Sequence, residues 1–156
     1  MKMYPFNQAS QVQFVSFDGK VDIFQKEFVF PKDGHNIDPA LITDGVPPPK
    51  DTVRYNDLKE VKSLTPAQTG TLTDILYNYG YPGRWHSTRT VACYEPRNAI
   101  LFLDGKGQAL AFIEICFACR NTETSSAQIS LGEMCEGKID MIRKLFEQVG
   151  IKYGVH

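Results

Sequence analysis

Ala99-Ile100-Leu101-Phe102-Leu103-Asp104-Gly105-Lys106-Gly107-Gln108-Ala109-Leu110-Ala111-Phe112-Ile113 is the stretch on which the fold turns. Two nearly continuous apolar runs flank a polar, glycine-containing tetrapeptide. A half-buried strand alternates apolar and polar residues, whereas an unbroken apolar run belongs to a strand covered on both faces. The pattern predicts adjacent central strands over 97–103 and 108–118, turning at Asp104-Gly105-Lys106-Gly107.

Toward the C-terminus, residues 121–126 are polar and read as loop, and Ala127 to Leu131 as a short further strand. Cys135, Ile139, Ile142, Phe146 and Val149 then step by 4, 3, 4 and 3. That spacing predicts an amphipathic helix over 133–149, with Gly150 as the residue that ends it. Toward the N-terminus, Thr65-Pro66-Ala67-Gln68 is a helix start: Thr65 caps, Pro66 suits the first turn and Gln68 closes a capping box. Leu72, Ile75, Leu76 and Tyr79 form its apolar face, and Gly80 is placed to end it. Gly70 weakens this helix by ~1 kcal/mol relative to Ala.

Residues 10–30 read as a β-hairpin about Asp18-Gly19, with a return strand from Val21 to Phe30. Residues 31–51, with Pro47-Pro48-Pro49, read as a long proline-rich loop. The order of elements is not a strict βαβ alternation. It predicts an α+β fold, an antiparallel or mixed sheet with helices packed on it, in a single domain over 1–156.

Composition narrows the function classes. The 156 residues carry a formal net charge of −1, so no global field attracts nucleic acid, and no nucleic-acid partner is expected. The longest apolar run, Ala109 to Ile113, is far short of the ~20 residues of a membrane-spanning helix. Met1-Lys2-Met3-Tyr4-Pro5 has no apolar core, so no signal peptide is expected in the chain, although a leader removed upstream would leave the same start. The compartment stays open.

Four cysteines, Cys93, Cys116, Cys119 and Cys135, have three readings. They are reduced structural thiols, members of one or two disulfides, or a four-thiolate zinc site, the one cofactor the residues suggest. Cys116-Phe117-Ala118-Cys119 is a C-x-x-C that ends a strand and is not followed by a helix, which argues against a thioredoxin-like site. Hairpin arithmetic places Cys93 near Cys116.

The stretch from Tyr77 to Arg97 interleaves aromatic and basic residues. Arg84, Trp85, Arg89 and Tyr94 form the candidate surface for a protein partner, since interfaces concentrate binding energy in Trp, Tyr and Arg. The competing reading places Tyr79 in the core and Trp85 over a helix end. Glu114 interrupts an apolar strand, and one register of the hairpin sets Arg97 opposite it as a structural ion pair. His35, His86 and His156 lack metal-ligand spacing, and no nucleophile elbow, phosphate loop, dinucleotide fingerprint or zinc-protease motif occurs, so the balance leans away from catalysis, with a hydrolytic enzyme using Glu114 as its acid the least supported class.

The pattern C-Y-E-P-R-N-A-I-L-F-L-D-G-K-G over 93–107, followed by I-E-I-C-F-A-C over 113–119, is fairly specific. Together with the Cys135 helix and Gly150-Ile151-Lys152-Tyr153-Gly154, it resembles a family of uncharacterised bacterial proteins seen in Bacteroidetes-like genomes. The resemblance covers about the last 90 residues, implies a bacterial origin and transfers no activity, cofactor or partner. The sequence thus favours a non-enzymatic binding or interaction domain, the alternative being a cysteine-centred zinc-binding or redox-responsive protein.

Overall fold

The computed structural model describes residues 4–19, 24–25, 52–53, 55–78, 94–126, 128–129, 131 and 136–155. In chain order the strands and helices are β1 (Gln11–Phe17), β2 (Phe24–Gln25), β3 (Thr52–Val53), β4 (Leu58–Ser63), α1 (Pro66–Tyr77), β5 (Asn98–Leu103), β6 (Ala109–Cys116), β7 (Asn121–Thr124) and α2 (Glu136–Val149). Five strands form one sheet in the order β4-β1-β5-β6-β7, and β2 pairs with β3 separately. Every pairing is antiparallel, which makes this the expected α+β fold.

The two apolar runs are β5 and β6, the third and fourth strands of the sheet. Every residue of β5 is buried. On one face Phe14, Ile100, Phe102, Ile113 and Ile115 meet Leu72, Ile75 and Leu76 of α1 and Ile139, Ile142, Leu145 and Phe146 of α2. On the other face Val15, Phe17, Ala99, Leu101, Leu103, Ala109 and Phe112 form a second cluster, with Val53 and Leu58 packed against it. Two-sided burial is the physical reason for the unbroken apolar runs, since each Leu, Ile or Phe side chain withdrawn from water contributes ~1.5–3 kcal/mol.

The start of α1 and the end of α2 follow their residues, whereas α1 ends at Tyr77 with Asn78 as its cap, and Tyr79 and Gly80 lie outside the described residues. Thr65 Oγ1 accepts from Gln68 N–H at 3.2 Å while Thr65 N–H donates to Gln68 Oε1 at 2.9 Å, the reciprocal capping box. At the end of α2, Gly150 N–H donates to Glu147 O at 3.1 Å and Ile151 N–H to Phe146 O at 3.0 Å. Gly150 adopts φ +109°, a left-handed conformation that a side chain would disfavour, and completes a Schellman motif.

Three local expectations are corrected. The hairpin about Asp18-Gly19 does not form as read: Phe24–Gln25 pairs with Thr52–Val53, and β1 lies between β4 and β5. A strand has two hydrogen-bonding edges, and distant segments occupy both of those of β1. The fifth strand of the sheet is not at 127–131. Asn121–Thr124 pairs with β6, and Gln128 and Ile129 follow in a turn and an irregular segment. A four-residue polar edge strand shows no apolar alternation, so its sequence reads as loop. Finally, the hairpin of β5 and β6 closes through five residues, Asp104–Gln108, with a register shift next to Leu103. Asp104 holds this turn, its Oδ1 accepting from the N–H groups of Lys106 and Gln108 at 2.8 and 2.9 Å. The return strand outside Phe24–Gln25, the proline-rich segment 31–51 and the helix start at 133–135 lie outside the described residues.

Candidate functional site

The C-x-x-C motif is the connection between β6 and β7. Cys116 closes β6 and pairs with Asn121, the first residue of β7, so Phe117-Ala118-Cys119-Arg120 is a four-residue hairpin loop. Cys116 and Cys119 are joined by a disulfide with a Cα–Cα separation of 5.4 Å. Arg120 adopts φ 53°, the left-handed residue that lets so short a loop reverse the chain.

The loop is fixed to the body of the protein at two points. Phe117 is 5% exposed and meets the ring of Phe146 edge-on, centroids 5.4 Å apart. Phe146 in turn stacks on Phe14 of β1 at 3.8 Å. On the surface, Arg120 pairs with Asp140 of α2 at 3.5 Å, and Asp140 also receives Arg143 at 2.9 Å. Exposed pairs of this kind contribute less than ~1 kcal/mol, so Phe117 is the stronger anchor.

The two sulfurs differ. Cys116 is 4% exposed, whereas Cys119 is partly exposed. The N–H of Cys119 points at Cys116 Sγ from 3.3 Å. A donor so placed favours negative charge on the buried sulfur, offsetting the desolvation that opposes it.

Beside the loop, on the face away from the helices, Glu114 lies across from Glu123 in the ladder of β6 and β7. Like charges facing each other in a sheet oppose pairing. Tyr94 is close to both. Burial raises its phenol well above the ordinary value of 10.0, and the Glu114 and Glu123 carboxylates raise it further. Its hydroxyl oxygen is buried, and a weak hydrogen bond with the Glu123 backbone opposes the rise without cancelling it. Tyr94 is partly exposed overall, with its hydroxyl turned inward and held protonated.

The expected Arg97–Glu114 pairing across the strands is also corrected. The register sets Ala99 opposite Glu114. The fifth loop residue and the irregularity beside Leu103 move the partner strand by two residues from the register that would align Arg97 with Glu114. The Arg97 guanidinium instead lies 3.8 Å from Glu95, both side chains about half exposed.

Arg84, Trp85, Arg89, Cys93 and Cys135 lie outside the described residues. The structure therefore brings together Cys116 and Cys119 of the expected cysteine set. Among the described residues no group of three or more His, Cys, Asp or Glu is arranged to hold a metal ion. In the disulfide form Cys116 and Cys119 are not thiolates, so a zinc site using them requires the reduced chain. Sequence reasoning missed Phe117 as the anchor between the cysteines. Its signal was present: Ile113, Ile115 and Phe117 continue one alternating face of β6 into the loop.

No family model matches the chain, and no curated protein and no solved structure matches it.

Proposed function

We propose that this is a redox-responsive protein whose switch is the Cys116–Cys119 pair. The observation that carries the reading is the position of the disulfide inside a hairpin loop that is already closed without it. The ladder pairs Cys116 with Asn121, and Phe117 is seated in the core. A cross-link over so few residues removes little chain entropy, about 2 kcal/mol where a long loop would give nearly 5. A bond that adds little to the fold can open and close without unfolding it. The partly exposed Cys119 gives a reductant access.

The test equilibrates the full chain in glutathione buffers and follows the peptide Gly107–Arg120. Cleavage after Lys106 and Arg120 releases it with Cys116 and Cys119 and neither of the other cysteines. The pair should convert between dithiol and disulfide at poises between about −180 and −320 mV, the span from secretory to cytosolic compartments. A disulfide that persists throughout is a structural cross-link and removes the proposal, and so does a pair that stays reduced throughout.

A partner-binding surface is the second reading, favoured by one observation of composition. The only Trp of the chain stands beside Arg84 and four residues before Arg89. A Trp85→Ala variant should keep the thermal midpoint of the parent if the indole serves a partner. A loss of ~3–5 kcal/mol, the cost of emptying a core aromatic site, would assign it to packing instead.

A further inference from the structure

We infer that Cys119 is the sulfur attacked in thiol–disulfide exchange and the site of the mixed disulfide, with Cys116 as the leaving thiolate. The inference rests on the redox reading above and goes beyond it by assigning a role to each sulfur and naming the co-reactant class, a low-molecular-weight monothiol. The order is the reverse of the familiar one, in which the first cysteine of a C-x-x-C at a helix N-terminus is the nucleophile. Here the motif sits between two strands and the first cysteine is the buried one.

Three observations decide the direction. Access separates the sulfurs, since Cys116 is 4% exposed and Cys119 is partly exposed. An incoming thiolate attacks a disulfide along the S–S axis, from the side opposite the leaving sulfur. Attack on Cys119 therefore leaves toward the buried Cys116, whereas attack on Cys116 would have to start from the interior. The leaving group is also prepared. Exchange is faster when the departing thiol is the more acidic, and the N–H of Cys119, 3.3 Å from Cys116 Sγ, stabilises the charge that develops there. Lastly, the departing sulfur is held in place, because Cys116 remains in the β6–β7 ladder and Phe117 remains against Phe146.

The exchange balances in two steps. The thiolate of the monothiol forms a bond to Cys119 Sγ, the Cys116–Cys119 bond breaks, and its electron pair leaves on Cys116 Sγ as thiolate. A second monothiol thiolate attacks the outer sulfur of the mixed disulfide. It releases Cys119 as thiolate and carries away the oxidised monothiol. Two electrons pass from the two monothiols to the protein, and water supplies the protons that the thiolates take up. In reverse, the oxidised monothiol first caps Cys119, and Cys116 displaces it.

The experiment treats the oxidised full chain with glutathione, quenches with acid, blocks free thiols with N-ethylmaleimide and fragments the Gly107–Arg120 peptide between its cysteines. Glutathione should be found on Cys119 with the maleimide on Cys116. Glutathione on Cys116, or divided evenly, overturns the assignment while leaving a reversible disulfide, and so the redox reading, intact. A peptide that shows no reducible disulfide overturns both. The single-cysteine comparison is independent of the intermediate's lifetime. With glutathione disulfide, Cys119 in a Cys116→Ser variant should be modified about tenfold or more faster than Cys116 in a Cys119→Ser variant. Equal or inverted rates count against the assignment, and the mapping on the unaltered chain holds even where a variant folds poorly.

Discussion

The carboxylate of Glu60 ties the C-terminal segment to the sheet. It accepts from the Ser16 hydroxyl at 2.7 Å and from the main-chain N–H groups of Lys152 and Tyr153 at 3.0–3.1 Å. Partial burial works against its charge, but the Ser16 hydroxyl and the Tyr153 and Lys152 N–H groups outweigh it and hold the carboxyl below its ordinary value of 4.5. A carboxyl whose folded value is depressed contributes stability above its unfolded value, and the contribution fades as pH falls through the folded one. Glu60→Gln should thus lower the thermal midpoint at pH 7, and the deficit should shrink as pH falls below 4.5. A midpoint difference that stays constant across that range would show that the charge of Glu60 plays no part.

Among the elements, α2 is joined to α1 by a buried cation. Lys138 is fully buried, and its Nζ donates to Leu76 O at 2.8 Å and to Leu131 O at 3.0 Å. The Leu76 carbonyl belongs to the last turn of α1, where carbonyls have no partner within the helix and the helix dipole favours positive charge. Lys138 thus does from a neighbouring helix what a C-terminal basic residue does from its own. Replacing it with Met leaves the buried Leu76 carbonyl short of a donor, at ~1–3 kcal/mol, and the partly buried Leu131 carbonyl at less, while relieving the cost of burying a charge. Lys138→Met should lose about 2 kcal/mol net in urea denaturation. A variant as stable as the parent would mean that the tie contributes nothing.

Across the whole molecule, the last residues close the structure. Ile151 and Val155 are buried in the main core, and Asn98 Nδ2 donates to Tyr153 O at 2.9 Å. The ammonium of Lys59 lies over the Tyr153 ring at 4.6 Å. Gly154 makes this docking sterically feasible. It adopts φ +79°, and a Cβ there would stand 2.5 Å from Asn98 Oδ1 and 2.7 Å from Arg97 Cβ. Gly154→Ala therefore meets both a left-handed backbone penalty and a clash with the start of β5, and should lower stability by about 2–3 kcal/mol. A loss below ~0.5 kcal/mol would show that the segment docks without needing glycine.

Much of the fold was legible in residues that act locally. The unbroken apolar runs of β5 and β6, the capping box of Thr65 and Gln68, the 4–3–4–3 spacing before Gly150 and the absence of a helix after Cys119 each express short-range physics: burial on two faces, orphan donors at a helix start, one apolar stripe, a glycine-favoured φ. Strand partnership was decided by tertiary structure alone. Asp18-Gly19 carries a strong turn signal, yet β1 takes β4 and β5 as neighbours, because the free energy of an apolar strand depends on which segments cover both its edges and both its faces. The register that separates Arg97 from Glu114 comes from a loop one residue longer than its turn motif and an irregularity at Leu103, neither of which composition encodes. The candidate site divides in the same way. The sequence presented Cys116 and Cys119 three residues apart, compatible with thiol, disulfide or zinc. Which sulfur is buried, which N–H faces it and what anchors the loop depend on β7 pairing with β6 and on Phe146 of α2 standing under Phe117. Those contacts join residues far apart in sequence, and they exist only once the chain has folded.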